Sequence, residues 1–280
     1  MAGAAPEPAP QAVSGPPLGA AGADGGRRGY EEGESRGHPH RHFRVAVSVG
    51  AMALAWARQE GAPQGATVVA DHEVNALGRI GDAWTAPSGS TLAAAVVMRP
   101  VLPAELADAV WLVAGLAGAE GASAVAGRPV GVWWPDLVVD PVTEAVIGKV
   151  LAEVQLGPAQ VRSAVITIRL DLAALAIDPA RRDAVLDEVL GAFDRTAGWL
   201  GEGADGCGEA AATYSQRCPL LGRRLKAVLL PKGETRGVAR RVDRAARLEL
   251  VSATGMVEHI AIDSLRRLEV AGEPSRGLPD

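Results

Sequence analysis

Cysteine is nearly absent from this 280-residue chain, where Cys207 and Cys218 are the only two. That excludes a scaffold built on disulfides and a cysteine-rich zinc site, and no metal centre is expected. It also points to a reducing, cytoplasmic setting. Aromatic residues make up only 4% of the chain, so any core has to be built from aliphatic side chains. No uninterrupted apolar run approaches the ~20 residues that a spanning helix needs, and no membrane association is expected. A basic excess is missing too. The formal charge is −5, which argues against a general nucleic-acid binder, whose footprint is a basic face. The first residues show no continuous apolar segment between a basic start and a cleavage site, so a secretory signal is not expected. What is present is a hydrophobic share of 48%, enough for the core of one or two domains.

Residues 1–42 are rich in Ala, Pro, Gly and charge and carry no spaced apolar pattern, which predicts a disordered tail. His38, His40 and His42 alternate inside it and are read as solvated. From Phe43 the pattern becomes a short strand, a helix after Ser48 in the N-cap position, and strands at residues 67–70 and 93–98. A helix is predicted from Pro103 to about Ala119, with Leu106, Val110, Val113 and Leu116 on one face. Residues 131–139 read as a strand that bends or ends at Pro135, with Trp133 and Trp134 on opposite faces. A hairpin returns at 146–155, a strand follows at 163–170, and an amphipathic helix covers 179–199. Beyond Ala212 the short strands at 225–230, 235–242, 248–251 and 259–262 predict a small β-barrel. The fold class is therefore α/β (α+β). A mixed-sheet domain over 43–212 carries packed helices, a barrel spans 213–271, and residues 272–280 form a tail.

The stretch most able to carry chemistry is residues 67–92. Gly78, Gly81 and Gly89 interrupt it around one cation, Arg79, and one large aromatic, Trp84. Glycine lets backbone N–H groups approach a ligand that a Cβ would hold off, and arginine forks two donors onto a phosphate or carboxylate. His72 and Glu73, just before the loop, read as solvated ends of a strand, and Cys207 as an incidental thiol in a glycine-rich loop. The arginine run 236, 240, 241, 244 and 247 reads as a solvated face of the barrel.

In this order the segments resemble the biotin/lipoate protein ligase family, in particular biotin–protein ligases without an N-terminal DNA-binding domain. The residues that carry the likeness are Ser48-Val49-Gly50 at the helix start, Ala76-Leu77-Gly78-Arg79-Ile80-Gly81-Asp82 with Trp84, and Ala86-Pro87-Ser88-Gly89-Ser90-Thr91-Leu92. Trp133-Trp134-Pro135-Asp136-Leu137 and Val146-Ile147-Gly148-Lys149-Val150-Leu151-Ala152-Glu153 complete it, with residues 215–225 resembling the entry to the family's SH3-like barrel.

The resemblance implies formation of biotinyl-adenylate from biotin and ATP with magnesium, then transfer to a lysine of an acceptor carrier-protein domain, with a homodimer among the expectations. It nominates Arg79 and Lys149 as catalytic, and Ser48, Gly78, Gly81, Trp84, Gly89, Trp134 and Gly148 as substrate-binding. Leu77 and Asp82 stand where the family loop carries two further arginines, Trp133 where its strand carries lysine, and Val146 where its other lysine belongs. Lys149 lies at odd separation from Val146, so it enters the site only through a bulge or a one-residue slip. Two further readings remain open: a relative that binds an acyl ligand or carrier protein without turnover, and a lipoyl or octanoyl transferase of the same fold.

Overall fold

The structure, a computed structural model, describes residues 29–85 and 89–271. The expected tails over 1–28 and 272–280, and residues 86–88 of the Ser-Pro-like segment, lie outside them.

An eight-stranded mixed sheet organises the larger part. Its strands are β1 (Glu31–Ser35), β2 (His38–Ala46), β3 (Thr67–Glu73), β4 (Thr91–Met98), β5 (Gly131–Trp133), β6 (Leu137–Val139), β7 (Val146–Leu156) and β8 (Val161–Asp171). They lie in the order β1-β2-β3-β4-β8-β7-β6-β5. Only β2 and β3 pair in parallel, and their crossover is the helix α1 (Val49–Ala55), continued by a π-helical turn at Trp56–Glu60. A parallel pair needs such a crossover, because a tight turn reverses the strand.

The tail expected over residues 1–42 is corrected from Glu31 onward: β1 and most of β2 occupy it. His38 bonds Asp194 at 3.0 Å and His42 bonds Asp71 at 2.7 Å, so the alternate histidines dock a hairpin instead of trailing in solvent. Composition missed this, since a short polar edge strand is held by side-chain pairs that local hydropathy does not register.

Helices α2 (Ala109–Ala126), α3 (Arg182–Gly201) and α4 (Gly203–Gln216) cover one face of the sheet, and α1 covers the other. The predicted one-sided helix from Pro103 is a 3-10 turn at Ala104–Leu106 followed by α2, which is buried nearly all round. Among the described residues α2 alone has the length and composition to cross a membrane, and it lies inside the core against the sheet, α3 and α4. Helix α4 was read as a glycine-rich loop. Gly206 serves close approach, since a Cβ there would run into the Trp199 carbonyl. Cys207 accordingly sits buried in a helix.

Gly121 of α2 has the same logic, since a Cβ there would lie 2.6 Å from Val189 Cα and 2.7 Å from Val189 N on α3. Backbone cannot yield as a flexible side chain does. Gly121→Ala is therefore expected to destabilise the protein by about 1–3 kcal/mol, despite alanine's better helix propensity. An unchanged or raised midpoint of thermal unfolding would mean that α2 and α3 do not cross this closely.

The C-terminal part is a five-stranded antiparallel sheet of β9 (Arg224–Leu229), β10 (Glu234–Val242), β11 (Leu248–Val251), β12 (Val257–Ile260) and β13 (Leu265–Val270), in the order β12-β11-β10-β9-β13. Its strand β13 was not foreseen. The fold class is the expected α/β one, a mixed sheet with packed helices and a small β-unit behind it. Leu225, Ala227, Ala239 and Val242 of that unit join the same hydrophobic cluster as α2 and α4, so the two parts share one core. Within the arginine run, Arg241 pairs with Glu249 at 2.6 Å and Arg247 with Asp243 at 2.8 Å. Asp243 and Glu249 also face His259, the sole grouping of metal-type ligands among the described residues, and these arginines already neutralise its carboxylates.

Candidate active site

On the α1 face of the sheet, β7 and β8 set Lys149 directly opposite Arg169. Two like charges across a ladder repel, so each needs its own counter-ion. Lys149, 5% exposed, donates to Asp82 Oδ2 at 2.8 Å. Arg169, 1% exposed, grips Glu73 through Nε at 2.6 Å and Nη2 at 2.8 Å, and its Nη1 donates to the Leu77 carbonyl at 3.1 Å. Glu73 in turn accepts from Val49 N at 3.0 Å, which ties the start of α1 to the same pair. A third pair stands beside these, with Arg79 Nε 3.7 Å from Asp136 Oδ2 and each side chain 12% exposed. Burial pushes the Asp136 carboxyl above its ordinary value; Arg79 and Lys149 pull it down, and Asp82 adds to the rise.

The regular ladder with β8 sets Lys149 on this face, and a bulge in β7 brings Val146 into phase with it. Val138 pairs with Gly148 and Val139 with Val146, which leaves Ile147 as the extra residue. That single insertion cancels the odd separation between Val146 and Lys149 and leaves Val146 exposed at 43%. Of the two outcomes the sequence left open, the structure has the bulge.

The glycine loop is tighter than its sequence suggests. Gly78 N bonds Asp82 O at 2.6 Å, Gly81 N bonds Gly78 O at 3.3 Å, and Trp84 N bonds Ala76 O at 2.7 Å. The amides expected to meet an anion are thus engaged inside the loop itself. Ile80, a β-branched residue, sits at φ 55, a left-handed conformation such residues rarely adopt. The loop is held in that shape from outside at several points: Arg169 on Leu77, Lys149 on Asp82, and Arg79 on the barrel. Arg79 donates to the Leu265 carbonyl and, at 3.3 Å, to that of Arg266.

Several nominated residues play other parts. Trp134 is buried and donates its indole N–H to Ala246 O at 2.8 Å, so it fastens the sheet to the barrel and lines no site. Its neighbour Trp133 is the outward one, with Arg223 stacked 5.6 Å from its ring. Gly148 is required by β8, since a Cβ there would strike the Arg169 carbonyl. The Ser48 hydroxyl accepts from Ala51 N at 3.3 Å as the N-cap of α1. Gly89 is exposed with open space around it, as is Gly81's Cβ position, whereas a Cβ on Gly78 would touch the Lys149 chain at 3.6 Å. Arg79, Lys149 and Gly78 are brought to one place, and Trp84 is tied to the base of the same loop through its backbone amide. Asp136, Glu73 and Arg169 join them unforeseen in any ligand role, while the Thr167 hydroxyl lies against Gly50 of α1. A lone arginine in the apolar run of β8 was the available signal, because a charge in such a strand has to find a buried partner. Glu73 itself, read as solvated, has only 4% of its side chain exposed.

Three polar atoms here are buried without a hydrogen bond to any described residue: Arg79 Nε, Trp84 Nε1 and Thr167 Oγ1. His40 Nε2 and Arg41 Nε on β2 share that condition, and Arg79 Nε still faces Asp136 at 3.7 Å. An open cleft of about 700 Å³ exists elsewhere, between Arg99, Leu156, Gln160 and Arg162, at the opposite end of β4 and β8. It contains none of this chemistry.

No family model matches the chain. In sequence, 112 residues are 30% identical to the bifunctional ligase/repressor BirA of Bacillus spizizenii, covering 40% of this chain and 34% of the relative; BirA of Bacillus subtilis matches at 29% over the same length. The chain thus spans about a third of the length of these curated relatives. In structure, it superposes on the biotin protein ligase of Aquifex aeolicus in complex with biotin and ATP with a TM-score of 0.65, at 19% identity, covering 83% of this chain and 99% of that one. The fold is that of the biotin protein ligases. A biotin protein ligase-like protein of unknown function from Silicibacter sp. TM1040 matches at a TM-score of 0.60 and 17% identity, over 80% of this chain and 94% of that one. The biotin acetyl coenzyme A carboxylase synthetase of Helicobacter pylori, with bound biotinylated ATP, gives 0.55 and 17% over 79% and 98%.

Proposed function

We propose that the chain forms an acyl-adenylate, biotinyl-adenylate in the first instance, from biotin and ATP, and passes the acyl group to a lysine of an acceptor carrier-protein domain. The observation that supports this reading is Lys149, held against Gly78 and Asp82 of the glycine loop with Arg79 beside it on Asp136. Adenylation gathers negative charge at the α-phosphate as pyrophosphate leaves, and a fixed, desolvated cation stabilises that charge. Lys149 is placed to do so from the sheet, and Arg79 from the loop. Trp84 adds an apolar wall with one donor for the acyl end.

Magnesium would accompany the nucleotide. The nearest carboxylates, Asp82 and Asp136, are paired with Lys149 and Arg79, so these residues do not fit as a cation seat and no step is assigned to one. A cysteine-based acyl transfer has little support, because both thiols are buried and burial pushes Cys218 up to about 11.

Calorimetric titration with a hydrolysis-resistant biotinyl-adenylate analogue tests the reading. The protein is expected to bind it, and Arg79→Ala to weaken binding ten-fold or more, as a charge-assisted contact of about 1.5–3 kcal/mol requires. Absence of binding to the unaltered protein defeats the proposal. Equal binding by both proteins would restrict Arg79 to its barrel contact.

A further inference from the structure

The described charges at the site balance in pairs: Lys149 with Asp82, Arg79 with Asp136, Arg169 with Glu73. The pairs differ in how firmly they are held. Glu73 and Asp136 are nearly enclosed, whereas Asp82 keeps 30% of its side chain exposed and sits on the loop just after Gly81. A second anion on Lys149 would face the Asp82 carboxylate at hydrogen-bond range, and Lys149 offers no room on the protein side, being 5% exposed with Gly78 against its chain.

We infer that Asp82 determines which ligands the site accepts: its carboxylate occupies the seat on Lys149, and an anionic group enters only by exchanging places with it. The inference rests on the proposed role of Lys149 as the anion's cation. It makes the site self-neutral at rest, and it sets a threshold that a neutral or singly charged acyl ligand fails to pass unless a phosphate comes with it. Rehydration makes the exchange feasible, because a partly exposed aspartate swings into water more readily than a buried lysine can change partner.

The chain has three lysines, Lys149, Lys226 and Lys232, which makes the test direct. The 280-residue protein and its Asp82→Asn and Asp82→Ala variants are pulsed with dilute acetic anhydride, and acetylation of each lysine is measured by peptide mass spectrometry. Lys226, paired with Glu234 and Glu269 on the barrel, serves as the internal reference. With the carboxylate that holds its amino group gone, Lys149 is open to the reagent, and its labelling is expected to rise several-fold relative to Lys226 in both variants. Inorganic pyrophosphate is then expected to protect Lys149 at about ten-fold lower concentration in the variants than in the unaltered protein. Unchanged labelling of Lys149, or identical pyrophosphate protection, overturns the inference. Neither readout involves biotin or turnover, so failure of the ligase reading would leave these results standing, and the reverse.

Discussion

Arg169→Met is expected to lower stability by about 3–5 kcal/mol, because it strands the Glu73 carboxylate in a place 4% exposed. For a chain of this size that corresponds to a fall on the order of 10 °C in the midpoint of thermal unfolding. The cost exceeds that of an ordinary surface ion pair for two reasons. Both partners are desolvated, and Glu73 also holds Val49 N while Arg169 holds the Leu77 carbonyl, so the start of α1 and the glycine loop loosen together. The double variant Arg169→Met with Glu73→Gln removes the orphaned charge and is expected to recover part of the loss, a non-additive result typical of direct partners. Equal, mild effects of the single and double variants, read by calorimetry, would mean that the pair does not hold the site together.

Lys149→Ala has the other large expected effect, on rate instead of stability. A preorganised cation facing charge that develops in the transition state is worth roughly a factor of 10²–10³, and adenylate formation should fall by that amount. Stability should change little, within about 1 kcal/mol, because Asp82 is exposed enough to take up water once its partner has gone. The split between a lost rate and a preserved unfolding midpoint separates a catalytic role from a structural one. Retention of the full rate in the variant, measured in single-turnover adenylation, removes Lys149 from the mechanism.

Much of the architecture was legible because it follows from pattern. The strands at β3, β4, β7 and β8 alternate or run apolar, Ser48 stands at an N-cap, and Pro135 ends a strand where the ladder cannot continue. Elements built from weak local signals were not legible. The hairpin β1–β2 is held by His38, His42 and Arg41 through partners distant in sequence, with Arg41 on Glu60 at 2.6 Å. Helix α4 hides behind its glycines, of which Gly206 allows contact with the end of α3.

The site was legible in outline only. Arg79, Gly78 and Trp84 stand out as a loop of special composition. Whether Lys149 shares a face with Val146 depends on one bulged residue, which no periodicity encodes. Trp134 misled, because a tryptophan beside a motif resembles a ligand wall as readily as it does an anchor for a second sheet. Glu73 and Arg169 were lost because their pairing spans the sheet.

The central claim, that this arrangement activates an acyl group on ATP, is tested most directly by biotin-dependent exchange of labelled pyrophosphate into ATP. The purified 280-residue protein is expected to catalyse the exchange when biotin, ATP and magnesium are all present, and to lose it when biotin is omitted. No biotin-dependent exchange at high protein concentration would contradict the account.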